Sequence, residues 1–112
     1  MEIKQDKPHT PFNQILLESI DETLTTLGDA NKTAMYNSLN AYFYIAKNQI
    51  PSKIDTFTKV LKAVFGNSSL HLEKIIIKHV ENKTGIATPA LAQVGSLQDK
   101  VRAIRSEYEK TL

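Results

Sequence analysis

The chain has 112 residues, enough for one domain and one hydrophobic core. Its 41% hydrophobic and 23% charged residues exclude a wholly disordered chain, and the absence of cysteine excludes disulfides, thiolate catalysis and cysteine-ligated zinc or iron–sulfur centres. The net charge of +2 is uneven, because the segment 11–28 carries only Glu18, Asp21 and Glu22, so the basic excess falls after Gly28.

Residues 1–10 are polar and without apolar period, which reads as a flexible arm. Thr10-Pro11 is a helix start, with threonine as cap and proline at the first helical position. Phe12, Leu16, Ile20, Leu24 and Leu27 then recur at spacings of three and four, and Gly28 closes the run as a left-handed cap. Asp29 caps a second helix running to about Tyr44, with Met35, Leu39, Tyr42 and Phe43 on its apolar face and Tyr36 beside it. Residues 45–51 form a connector, in which Ile50 before Pro51 is expected to be extended and plugged into the core.

Ser52 or Asp55 opens a third helix carrying Phe57, Val60, Leu61 and Val64. After Gly66, one of Asn67, Ser68 and Ser69 caps a fourth helix that runs to about Lys83, with Leu72, Ile75, Ile76 and Val80 towards the core. Leu70 and Ile77 lie one heptad apart on another side of it, and a helix apolar on two sides must be covered on two sides. Residues 84–95 form a small-residue linker. Ser96, answered by Asp99, then caps a last helix whose stripe is Leu97, Val101, Ile104, Tyr108 and Leu112. That stripe is a natural cover for the Leu70/Ile77 side, supplied by the same chain or by a neighbouring copy.

Chemistry is harder to find. His9, His71 and His79 are the only histidines, and the two on the fourth helix are about 12 Å apart along its axis, too far to share an ion. His79 reads as a packed histidine satisfied by a neighbour. No GxSxG elbow or glycine-rich phosphate loop is present, and the Glu18/Glu22 pair has no apolar wall to raise its acidity constants. The sequence therefore predicts no catalytic, cofactor-binding or metal-binding residue, no cofactor, and no enzyme. No apolar run reaches the roughly 20 residues of a membrane span, and MEIKQDKPHTP has no apolar leader stretch, so a cytoplasmic protein without membrane contact is expected. The segment 57–80 has helix-turn-helix proportions, with Ser68, Ser69, His71 and Lys74 at the start of the would-be recognition helix and Lys59, Lys62 and Lys78 near phosphates. Arginine, the best guanine reader, is missing from it.

The run Ile20–Gly28 (IDETLTTLG), then Ala34-Met35-Tyr36 and Leu39, Ile50-Pro51, Phe57, Leu61, Phe65-Gly66 and Leu72–Ile76 (LEKII) resembles the Nitrosopumilus output domain family over about residues 15–80. The resemblance implies a small archaeal helical domain found alone or joined to sensor modules, with an output role in signalling. Its marks are structural, so it brings no catalytic or ligand residue. Where many members carry an acidic patch after the a-Y-x-x-L helix, this chain has Tyr42-Phe43-Tyr44.

The prediction is an all-α fold: a compact four-helix core plus a C-terminal amphipathic helix on a linker, divided into an arm (1–10), a helical core (11–85) and the linker with its helix (86–112). The expected function is a non-catalytic protein–protein interaction or signal-output module, with a protein partner or homodimer bound through Leu70, Ile77, Leu97, Val101, Ile104 and Tyr108. The Tyr36/Tyr42/Tyr44 region ranks behind these, with packing at the core edge as its plainer reading. The alternative is a DNA-binding regulator that uses 57–80.

Overall fold

The computed structural model describes residues 10–111; the arm up to residue 9, with His9, and Leu112 at the end of the stripe lie outside them. Five α-helices follow one another: α1 (Phe12–Thr25), α2 (Asp29–Phe43), α3 (Ile54–Phe65), α4 (Ser68–Thr84) and α5 (Leu97–Glu109), with short 3-10 turns at Lys47–Ser52 and Ala90–Ala92. The described residues contain no strand. All five helices feed one continuous cluster of buried apolar side chains.

Helix α1 is the centre of that cluster and packs most extensively against α4. Its buried face is Phe12, Ile15, Leu16, Ile20 and Leu24, joined by two small hydroxyl residues. Ser19 and Thr23 are buried without polar cost, because each donates to the carbonyl one turn back (Ile15 and Ser19, both at 2.8 Å). The helix starts one residue later than predicted. Pro11 stands outside it with ψ 141°, its carbonyl receiving the amides of Gln14 and Ile15. Thr10 caps nothing with its side chain; its carbonyl accepts a bond from α5 instead.

Gly28 has the positive φ (94°) that its position demands, but with ψ 155° it serves as the entry to α2 rather than as the cap of α1, and Asp29 is already inside the helix. Helix α2 contributes only Met35 and Leu39 to the core. Tyr42 and Phe43, predicted on its apolar face, project into solvent. The chain turns at Tyr44, in the left-handed region at φ 56°, so that Ile45 rather than an aromatic ring drops into the core. Ile50 is fully buried as predicted, but within a 3-10 turn instead of an extended segment. The connector closes locally, with the Ala46 amide donating to Gln49 Oε1 at 2.8 Å.

Helix α3 buries Ile54, Phe57, Val60 and Leu61, leaving Val64 at the edge. Helix α4 presents Leu72, Ile76 and Val80 to the core and adds Ile77 on its flank. Beyond it, the 84–95 segment is tied down: Glu81 Oε2 accepts both the amide (2.8 Å) and the hydroxyl (2.7 Å) of the buried Thr88, and Gln93 Nε2 donates to the Thr88 carbonyl. Ser96 and Asp99 then form the reciprocal cap of α5, the Asp99 amide to Ser96 Oγ at 3.1 Å and the Ser96 amide to Asp99 Oδ2 at 3.0 Å.

Helix α5 packs on its own chain, against α4, α3 and α1. Tyr108 Oη donates to the Thr10 carbonyl at 2.7 Å, and its ring lies 6.0 Å from that of Phe12. Arg105 covers Phe12 from the other side at 4.7 Å and donates to Asn13 Oδ1.

Candidate functional site

Of the six side chains predicted to bind a partner, five are covered by the chain itself. Leu97, Val101, Ile104 and Tyr108 are core residues of α5, and Ile77 is buried on the flank of α4. The physical reason is that α5 docks along its whole length, so the stripe meets its apolar complement within the chain. Leu70 alone is open to solvent, at 66% exposure. Helix α5 begins at Leu97, and Leu70 stays open although Ser96 and Lys100 line the same cleft.

Two other surfaces expose apolar side chains, one of them overlapping the Tyr36/Tyr42/Tyr44 region ranked third by the sequence. Tyr42, Phe43 and Tyr44 are 77%, 48% and 86% exposed, three consecutive aromatic residues beyond the last core contact of α2. Leu91 and Val94 stand out from the segment before α5. The periodicity of α2 gave no warning of the first, because Tyr42 and Phe43 keep correct spacing from Met35 and Leu39 while the helix runs past the edge of the core.

The charges sort into two regions. On one side, the acidic residues of α1 meet cations from three other elements. Asp21 accepts from Lys32 Nζ (3.1 Å), Lys47 Nζ (3.0 Å) and Tyr36 Oη (2.9 Å), while Lys47 also lies 5.3 Å over the Tyr36 ring. Burial pushes the Asp21 carboxyl up, but the bonds from Lys47, Lys32 and Tyr36 outweigh it and hold the group below its ordinary value. Burial and the adjacent Asp21 carboxylate push the Tyr36 phenol well above the ordinary tyrosine range. Glu22 receives Lys83 Nζ at 3.0 Å and faces His79 Nδ1 at 3.3 Å, and Lys83 also approaches Glu18 at 3.8 Å. His79 is thus a half-buried histidine with a carboxylate partner, and the Glu18/Glu22 pair is bridged by a lysine of α4.

On the other side, Lys62 of α3, Lys74 of α4 and Lys100 of α5 line a cleft of about 450 Å³ and form no ion pair among the described residues. Glu73 lies in the same cleft. Its carboxyl is pushed up by partial burial, against the pull of Lys100 and Lys62. Ser69, offered by the sequence as a base-reading residue, is 2% exposed and lines the cleft wall, whereas Ser68, His71, Lys74 and Lys78 are exposed. Among the described residues, no group of three or more histidine, aspartate or glutamate side chains is placed to hold a metal ion, and no helix is long and apolar enough to cross a membrane. The chain matches no protein-family model, no curated protein and no solved structure.

Proposed function

We propose that this chain is a non-catalytic protein–protein interaction and signal-output module, and that it works as a homodimer joined through the aromatic end of α2. The observation that carries this reading is the exposure of three consecutive aromatic residues, Tyr42, Phe43 and Tyr44, whereas the other exposed large apolar side chains of the described residues, Val64, Leu70, Leu91 and Val94, are aliphatic. Aromatic side chains are enriched at interfaces because they bury much area for few torsions, and the Ala41–Ile45 segment holds no charge that would have to be desolvated. A two-fold contact sets the same rings against their copies. In this reading residues 11–85 form the four-helix core, and α5 closes it in cis. The archaeal-type signalling role rests on the resemblance of residues 15–80 to the Nitrosopumilus output domain family, and a cytoplasmic location goes with it.

Sedimentation equilibrium between about 10 μM and about 1 mM tests the reading, a span that covers weak to moderate dimers. The intact chain is expected to show a concentration-dependent dimer, and the Y42S/Y44N double variant to remain monomeric. Asparagine tolerates the left-handed conformation at position 44, so the double variant should melt no lower than the parent. A parent chain that stays monomeric across that range overturns the dimer.

The DNA-binding alternative keeps one support, the exposed Lys62, Lys74 and Lys78 around the 57–80 hairpin, which form no ion pair among the described residues. Against it, Ser69 is withdrawn from the surface and Leu70 stands where a base-reading polar group belongs.

A further inference from the structure

The cleft between α3, α4 and the start of α5 differs from the other hollows of this molecule in what is left unsatisfied there. Four polar residues of the described chain are buried: Ser19, Thr23, Ser69 and Thr88. Three of them use their hydroxyls in hydrogen bonds, to the carbonyls of Ile15 and Ser19 and to the Glu81 carboxylate. The Ser69 hydroxyl has no such partner among the described residues, although the side chain is 2% exposed and lines the cleft. A buried hydroxyl without a partner carries an uncompensated desolvation cost, so its persistence calls for a group that it serves.

The surroundings say what kind of group. The start of α4 lines the cleft and has no side-chain cap, so the positive end of the helix dipole lies there, although the Ser69 amide itself donates to the Gly66 carbonyl at 3.0 Å. Lys62, Lys74 and Lys100 approach from three different helices without ion-pair partners. These groups together favour a compact, multiply charged oxyanion. Two further features refine the choice. Glu73 adds a carboxylate, which needs a hydroxyl or amine donor from the ligand, and Leu70 lends an exposed apolar wall. The volume of about 450 Å³ lies in the range of small-molecule sites.

We propose that this cleft binds a nucleoside monophosphate: the phosphate at Ser69, the start of α4 and the three lysines, the ribose hydroxyls donating to Glu73, and the base against Leu70. The proposal is independent of the dimer contact on α2.

Amide chemical shifts of the full chain, followed by NMR during titration with AMP, inorganic phosphate and adenosine, test it. AMP is expected to move the Ser69 and Leu70 amides saturably, phosphate to move them with lower affinity, and adenosine to leave them in place. Lys74→Gln and Lys100→Gln should each weaken AMP about tenfold, the worth of one charge-assisted bond. Lys83→Gln, which alters a paired lysine elsewhere, should leave the affinity unchanged. An unaltered circular-dichroism melt checks that each variant is folded. The proposal is overturned if Ser69 and Leu70 do not shift at about 10 mM AMP, well above metabolite-range affinities, or if the three lysine variants behave alike. Displacement of AMP by a short DNA duplex at much lower concentration would overturn it in favour of a nucleic-acid surface.

Discussion

Helix α4 has two ends with opposite electrostatic histories. Its C-terminal end, through His79 and Lys83, faces the carboxylates of α1, and Lys83 is paired with both Glu22 and Glu18. Its N-terminal half, with Lys62 and Lys100 beside Lys74, gathers cations that form no ion pair among the described residues, with only the Glu73 carboxyl pulled by Lys100 and Lys62. The residue types are the same at both ends; what differs is whether an acidic helix lies across from them. Seven acidic residues after Gly28 cannot match twelve basic ones, so the three carboxylates of α1 absorb part of the excess and the rest collects where α1 does not reach. The paired seam orients helices, whereas the unpaired cleft is free to receive an anion.

The strongest challenge to this contrast is to loosen α5, the helix that brings Lys100 to the cleft. Ile104→Ala should cost about 2–5 kcal/mol in urea unfolding, with an unchanged denaturant slope, because Ile104 is fully buried between α5 and the rest of the core. A loss below about 1 kcal/mol would mean that α5 is detachable and that the cleft does not belong to the cooperative unit.

The seam is sharpened by Asp21→Asn, which replaces a carboxylate receiving three donors and should cost about 1–2 kcal/mol at neutral pH. Since the folded Asp21 carboxyl titrates below its ordinary 3.8, its contribution is complete above that pH and disappears as pH falls through the lower folded value. The parent and the variant should therefore converge in stability in strong acid and differ most above about pH 4, in line with that linkage.

The cleft predicts the opposite sign, with the smallest effect. The folded Glu73 carboxyl titrates above its ordinary 4.5, so its ionised form is disfavoured in the fold, and the cost is present above the folded value and relieved as pH falls through it. Glu73→Gln should leave stability equal or slightly raised at neutral pH and unchanged well below pH 4.5. Thermal melts at the two pH values measure this; a destabilised variant at neutral pH would show that Glu73 is held by partners after all.

Much of the helical layout was legible in the residues. The stripes of α1, α3 and α5, the Ser96–Asp99 cap and the positive φ at Gly28 and Gly66 all follow from interactions within a few positions along the chain. Such interactions are local, so periodicity and capping chemistry report them directly. The two-sided character of α4 was legible as well, but not that Leu70 and Ile77, one heptad apart on the same side, would fare differently: Ile77 is buried and Leu70 is open. The exposure of Tyr42–Tyr44, the contact of Lys83 with Glu22 from 61 positions away and the solitary hydroxyl of Ser69 were decided only by tertiary structure. A helical face announces what it is made of, but the offset and angle at which helices cross determine which of its residues are covered and which charges meet.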